Sequence, residues 1–338
     1  MELLSVDRFD HILKKINSQK SILVVGDLGI DKYTYGEVSR ISPEAPVPIL
    51  EVTKEWPKLG LAANVTDNLN SIGVSSTLCG IIGEDINGNR FEALLEEIGQ
   101  KTWGLVRSSD RMTTVKERIT TSLQQICRVD YENKEDIGEA IENKLFSKID
   151  DLKKNHGALI IQDYGKGLMT DSFCKRLIEN FNHAHLPIYV DPYRTKNALI
   201  YQNATLIKPN WSEAKILAKN LGISESKPQE LTIALSRKMG IPQIAITLGG
   251  EGICLYDKNS MASAQIIPTL NTEVFDVSGA GDTALSSLVS ALGVGATLIE
   301  AGWIANCASG VVVAKKGTAT ANLSEIEDYY RRMCQAWK

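Results

Sequence analysis

Short apolar runs alternating with helix-forming stretches constrain this chain more than any other feature. ILVV (22–25), ALIIQ (158–162), PIYV (187–190), TLIK (205–208) and QIAITL (243–248) are each followed by a helical pattern. A strand buried on both faces reads as a continuous apolar run, and helices between such strands act as crossovers. The runs therefore predict a mostly parallel sheet covered by helices on both faces. Just beyond the runs stand Gly26-Asp27, Asp163-Tyr164, Asp191-Pro192, Pro209-Asn210 and Gly249-Gly250. Open α/β sheets bind ligands at the carboxyl ends of their strands, so these turns are expected to form one shared rim.

Two segments break the alternation. Residues 33–58 hold four prolines and strand-like pieces but no helix, and residues 113–131 are rich in β-branched side chains. Together they predict a small β-sheet projecting from a single domain over residues 1–338, serving as a lid or a partner surface. With 43% hydrophobic residues, a chain of 338 can bury a sizeable core. The stretch 284–314 carries a single charge, Glu300, and is long enough to suggest a membrane span. Glycines at 293, 295, 302 and 310 interrupt it, and residues 293–297 predict a turn between two buried helices.

Charge and cysteine usage narrow the class. A net charge of −4 with no basic run excludes nucleic acid and anionic membranes as expected partners. Six scattered cysteines form no C-x-x-C pair and read as reduced thiols of a cytoplasmic protein. Residues 1–20 predict a charged amphipathic helix rather than a signal peptide. His183 and His185 lack partner ligands in the pattern and read as surface histidines.

FDVSGAGDTALSSL (275–288) raises the question of function. It contains G-x-G-x-x-A, but Glu300 falls within a helical pattern rather than ending a second strand, so a dinucleotide fold fits poorly. No G-x-x-x-x-G-K-[ST] loop occurs in the chain. Backbone amides at 279–282 would converge at the positive end of a helix starting near Thr283, a ready anion site. Asp282 there is either an N-cap or a carboxylate that deprotonates a hydroxyl while the amides hold a phosphoryl group. An N-cap needs neither flanking glycine.

VSGAGDT, with Phe275 and Asp276 before it, resembles the C-terminal signature of the ribokinase-like (PfkB) family of carbohydrate kinases. VVGDLGIDKYTYGEVSRISPEAPVPIL, IIQDYGKG, KPNWSEA, TLGGEG and GVVVAKKGT follow in the family's order, over residues of roughly 20 to 325. Within the family, the first of these is most similar to the kinase segment of bifunctional heptose-7-phosphate kinase/adenylyltransferases. The resemblance implies a three-layer α/β fold with a β-sheet lid, ATP and Mg²⁺, a sugar or sugar-phosphate substrate, and a homodimer formed through the lid.

It also implies roles. Asp282 is the base, and the amides of Gly279, Ala280 and Gly281 form the anion hole. Asn210 and Glu213 match the N-x-x-E element, with Glu213 holding Mg²⁺ largely through water. Thr247, Gly249 and Gly252 match a loop along the nucleotide, and Asn306 and Gly317 lie where the adenine pocket is built. Asp27, Asp31, Gly60 and Asn64 match the sugar side, and Lys166 matches a lysine near the phosphates. Asp276 and Ser278 fall where some relatives hold a monovalent cation such as K⁺. Lys116, Arg118 and Arg194 are candidate holders of a substrate phosphate, which is best met by fixed cations. Asn210 and Glu213 also read as an ordinary helix start, and Lys166 as a solvated loop lysine.

The pattern is departed from at three places. Leu61 stands where the family usually has glycine, Ser122-Leu123 where Arg-Asn precedes Gln-Gln, and Tyr193 where a lysine follows Asp-Pro. No adenylyltransferase segment is expected, since the kinase-like core runs almost to the last residue. The expected activity is phosphoryl transfer from ATP to heptose 7-phosphate at its anomeric hydroxyl. A kinase of another sugar, sugar phosphate or nucleoside, and a non-catalytic binding protein, stay open.

Overall fold

The computed structural model describes residues 3–122, 124–193, 197–270, 274–315 and 317–337. Its first half runs α1 (Val6–Lys15), β1 (Ile22–Gly26), β2 (Leu28–Ile41), β3 (Pro48–Leu61), α2 (Ala62–Ser71), β4 (Ser76–Gly83), α3 (Ile86–Glu97), β5 (Gly104–Ser108), β6 (Thr114–Thr120), β7 (Gln125–Tyr131) and α4 (Glu139–Lys153). It continues with β8 (Ala158–Gln162), α5 (Asp171–His183), β9 (Ile188–Asp191), β10 (Leu206–Ile207), α6 (Trp211–Asn220), α7 (Pro228–Met239) and β11 (Gln243–Thr247). The last elements are β12 (Ile253–Asp257), β13 (Gln265–Ile267), α8 (Ala280–Gly293), α9 (Leu298–Val313) and α10 (Leu323–Ala336).

All five apolar runs form strands of one nine-stranded sheet, ordered β13-β12-β11-β10-β9-β8-β1-β4-β5. The pairs from β5 to β11 are parallel, and β12 and β13 add an antiparallel edge. Alternate residues of β1 explain why its run is unbroken. Ile22 and Val24 join one core, with α1, α2, α8, α9 and α10, whereas Leu23 and Val25 join the opposite core, with α4 to α7. A strand facing two dry layers has no position for a polar side chain. The apolar stretch from 284 is indeed two buried helices turning at Gly293, and α9 opens on a Thr297/Glu300 capping box. Among the described residues no helix is long and apolar enough to cross a membrane.

A second, four-stranded sheet is ordered β3-β2-β6-β7. It begins at Leu28 rather than at the expected residue 33, because β2 and β3 stay paired down to Leu28 and Leu61. The sheet thus springs directly from the carboxyl end of β1. Val47 and Val52 are exposed on it, as expected, whereas Ile49, Ile119, Ile126 and Val129 are half-buried.

The chain re-enters the main body through Leu61, which has φ 56° and ψ −134° yet is buried. That backbone region is natural only for glycine. The leucine side chain is retained by packing against Gly29, whose added Cβ would stand 2.9 Å from Leu61 Cδ1. Two effects therefore oppose each other. Removing the side chain costs about 2–5 kcal/mol of packing, and glycine alone returns about 1–3 kcal/mol of strain. Leu61→Gly should therefore be more stable than Leu61→Ala, reversing the usual preference for alanine. Urea unfolding of both variants checks this; a more stable alanine variant would show that Leu61 carries no strain.

Candidate active site

The rim at the carboxyl end of the main sheet gathers Asp27, Asp163, Asp191 and the start of α8. Position 279 adopts φ 81°, and a Cβ there would lie 3.0 Å from the Asn64 amide, so the turn into α8 needs glycine. The helix begins at Ala280, earlier than expected. Asp282 is consequently in the first helical turn and is not its N-cap, which is Gly279. This corrects the N-cap alternative: the carboxylate satisfies no end-of-helix amide and is aimed elsewhere.

Its partners come from two other elements. Asn64 Nδ2 donates to Asp282 Oδ2 at 2.6 Å, while the Tyr164 hydroxyl (2.8 Å) and Gln162 Nε2 (3.0 Å) donate to Oδ1. One turn further along, Thr283 Oγ1 donates to Asn68 Oδ1 at 2.6 Å, which pins α8 against α2. Asp282 is 9% exposed. Burial, with the nearby Asp191 charge, pushes its pKa up to about 6, against the opposing pull of Asn64, Tyr164 and Lys208. A carboxylate with that pKa is ionised at neutral pH and is a stronger base than a solvated aspartate.

Next to it lie the other acids of the rim. Asp27 Oδ2 accepts the backbone amides of Tyr164 (2.9 Å) and Lys166 (3.2 Å), and burial raises its pKa. Asp163 Oδ2 accepts the Tyr201 hydroxyl at 2.5 Å, and burial pushes Asp163 up to about 6. Asp31, reached through β2, pairs with Arg118 of β6 at 2.6 Å. An added Cβ on Gly60 would meet the Asp31 carboxyl at 3.0 Å, so glycine there makes room for it. Arg118 also stands over the Tyr33 ring, and the Lys116 ammonium is 5.5 Å from the Tyr164 ring centroid. Burial holds the Lys116 pKa below its usual value. Lys166 is not a solvated loop lysine: its ammonium forms an ion pair with Glu132 and its side chain is 12% exposed. Arg194 lies outside the described residues.

At the start of α6, Asn210 and Glu213 form a capping box. Glu213 N donates to Asn210 Oδ1 at 2.9 Å, and Asn210 N donates to Glu213 Oε2 at 2.8 Å. A backbone bridge from Asn210 to Thr247 brings both beside the end of β11, in the cleft that Asp282 also lines. Gly249 (φ 62°) and Gly252 (φ 101°) shape the following loop, and a Cβ on Gly252 would collide with Ile267 O. Asn306 Nδ2 donates to Pro268 O at 2.8 Å, holding the segment just after β13. Both Asp276 oxygens accept backbone amides, from Ser278 (2.8 Å) and Gly317 (3.1 Å). These two bonds close the loop around Asp276. Among the described residues no three His, Cys, Asp or Glu side chains are placed to hold a metal ion directly.

The structure thus brings Asp27, Asp31, Asn64 and the glycine turn to one end of the sheet, with Asn210 and Glu213 across the cleft. Sequence reasoning missed Gln162, Tyr164 and Lys208 as neighbours of Asp282. Their signal was position alone: all three stand at or just past the carboxyl end of an apolar run.

Comparison with known proteins agrees with this geometry. The model of the pfkB family carbohydrate kinases matches residues 20–325. The bifunctional protein HldE of Wolinella succinogenes is 39% identical over 310 residues, covering 91% of this chain and 64% of that protein. HldE of Nitratiruptor sp. is 39% identical over 318 residues, covering 93% of this chain and 66% of the relative. The chain therefore spans just under two thirds of the curated relatives it matches. A ribokinase from Thermotoga maritima superposes with a TM-score of 0.74 at 18% identity, covering 92% of this chain and 99% of that one. Phosphofructokinase-2 from Escherichia coli, in complex with potassium, gives 0.76 at 16%, covering 94% and 99%. At such identities the superpositions establish the fold, which is the ribokinase-like α/β fold. With the family model covering residues 20–325, the chain belongs to the PfkB family of carbohydrate kinases.

Proposed function

We propose that the chain transfers the terminal phosphoryl group of ATP to the anomeric hydroxyl of a heptose 7-phosphate. One observation carries the reading: a buried carboxylate of raised pKa, Asp282, stands within a turn of the glycine-lined helix start and faces the sugar-side residues. In the reaction the sugar oxygen bonds to the terminal phosphorus as the bond from phosphorus to the ADP oxygen breaks, and the hydroxyl proton passes to Asp282 Oδ1 or Oδ2. The 279–281 amides at the helix N-terminus hold the phosphoryl oxygens in transit. Asp27, Asp31 and Asn64 orient the sugar by hydrogen bonds. Phosphoryl transfer leaves little covalent work to the protein, so positioning and charge carry most of the effect.

Mg²⁺ fits the residues present in a limited way. Glu213, on the cleft with Asp191 and Asp282, would hold it through water, and the ion would offset charge on the ATP phosphates. The preference for a phosphorylated sugar rests on the basic groups around Asp31. Burial is the main effect on Lys116, while Asp31 and Asp130 attract it and Lys166 and Arg128 repel it; a bound phosphate would give this buried ammonium a further partner. The similarity of residues 26–49 to heptose-7-phosphate kinases supports the same substrate, and the bifunctional protein HldE matches 91% of this chain.

A turnover assay with ATP and a panel of heptose 7-phosphate, hexoses, hexose phosphates and nucleosides tests this, run on wild type and Asp282→Asn. Heptose 7-phosphate should be the best acceptor. Asp282→Asn should lose about 10²–10⁴-fold in kcat with little change in thermal stability. A nucleoside or free hexose turned over faster would overturn the substrate, and a variant of near-normal kcat would overturn the role of Asp282.

The smaller sheet supports a proposed homodimer. Val47 and Val52 are 52% and 54% exposed, and Ile41 is 61% exposed, on an otherwise ordered sheet. Two copies pairing these sheets about a two-fold axis would cover them. Light scattering at micromolar concentration should give twice the chain mass of 37.1 kDa; a monomer would contradict the pairing.

A further inference from the structure

Lys208 is the least expected side chain in the core. It follows β10 at the carboxyl end of the sheet, is 2% exposed, and is among the largest fully buried side chains. Its backbone amide donates to Val190 O at 2.8 Å, which fixes where the side chain enters the cleft. Its ammonium pairs with Asp191 Oδ2 at 2.9 Å, and among the described residues Asp191 is its one ion-pair partner. An ammonium carries three N–H donors, so one carboxylate oxygen leaves donor capacity over. A buried Lys–Asp pair is a poor structural device, since desolvation of both charges commonly exceeds their attraction and apolar residues would pack as well.

Position supplies the reason for it. Outside Gly281's own chain neighbours and helix backbone, the Lys208 ammonium is the group that a Gly281 Cβ would meet, at 3.7 Å. Asp282 and Glu213 lie close enough for their charges to act on Lys208, and all of them line one cleft. Asp191 also accepts Gln162 Nε2 at 3.3 Å, and the same Nε2 donates to Asp282. The cation is therefore held in register with the base by a chain of fixed side chains. Tyr193 faces this cleft without contributing charge, and among the described residues that line it Lys208 supplies the ammonium.

We propose that Lys208 is a further catalytic residue: its ammonium, held by Asp191, contacts the terminal phosphoryl oxygens of the nucleotide opposite the amides of Gly279–Gly281. This rests on the reading of that turn as the phosphoryl cradle. In the transfer the ammonium offsets negative charge on the moving group, while the proton of the acceptor goes to Asp282 and Lys208 keeps its own protons.

The test compares Lys208→Met with the double variant Lys208→Met/Asp191→Asn, which removes both charges and so leaves no unpaired acid should the single variant fold poorly. Calorimetric titration with ADP and with the non-hydrolysable analogue AMP-PNP, each with Mg²⁺, reads the contact directly. ADP affinity should stay within threefold of wild type while AMP-PNP affinity falls at least tenfold. With ATP and heptose 7-phosphate, kcat should fall about 10²–10³-fold, as for loss of one preorganised donor, with KM for the sugar little changed. If either folded variant binds AMP-PNP as wild type does and keeps its kcat while Asp282→Asn is inactive, Lys208 is structural and this proposal is overturned. Wild-type-like turnover by Asp282→Asn would instead overturn the cradle reading itself.

Discussion

The structure depends on one buried carboxylate and the groups that hold it. Asp282 would be costly to bury alone, because an ionised carboxylate away from water loses far more hydration than packing returns. Three donors, from Asn64, Gln162 and Tyr164, offset that cost, and hydrogen bonds to a charged group each contribute about 1.5–3 kcal/mol. These donors sit on α2, at the end of β8 and just beyond it, so satisfying Asp282 also locks α8 onto the rim of the sheet. The compensation is incomplete, and Asp282 remains a base of raised pKa. Incomplete compensation is what the proposed role as a base requires.

The smaller sheet extends this rim. Its strands begin at Leu28 and return at Leu61, on either side of the site. Through it Asp31, Lys116 and Arg118 approach the cleft, and Lys58 Nζ donates to Thr318 O at 3.3 Å. The strained backbone at Leu61 lies where this sheet joins α2, three residues before Asn64. Strain is thus stored at the junction between the smaller sheet and the helix whose Asn64 holds Asp282.

Much of this was legible in the amino-acid order. Continuous apolar runs such as ILVV and ALIIQ can only be doubly covered strands, and they marked the sheet and its ligand-binding end. Gly279 and Gly281 before Asp282 marked the turn into α8 as a candidate anion site, because a plain helix cap needs neither glycine. The start of the smaller sheet was misplaced because Leu28 and Ile30 are buried and read as core rather than as a projecting strand. Gln162, Tyr164 and Lys208 were missed for a different reason. Nothing local distinguishes a polar residue that ends a strand from one that turns into a site; only the parallel register of β8, β9 and β10 brings them together. Asn210 and Glu213 show the reverse case, where a capping box and a cleft position coincide in the same two residues.

The central claim is that Asp282 takes the acceptor proton and that its neighbours set its basicity. Tyr164 offers the most direct test, since its hydroxyl lowers the Asp282 pKa while burial and Asp191 raise it and Lys208 opposes them. The base must be ionised to work, so kcat should be full above about 6 and fall tenfold per pH unit below it. Removing the donor by Tyr164→Phe raises the base's pKa, and the acidic limb of the kcat profile should move to higher pH. Asp163, which also titrates near 6, is bonded to Tyr201 instead, and the ionisations of ATP and the sugar phosphate are untouched by the substitution. An acidic limb that stays in place, or moves to lower pH, would show that the titrating group is not Asp282.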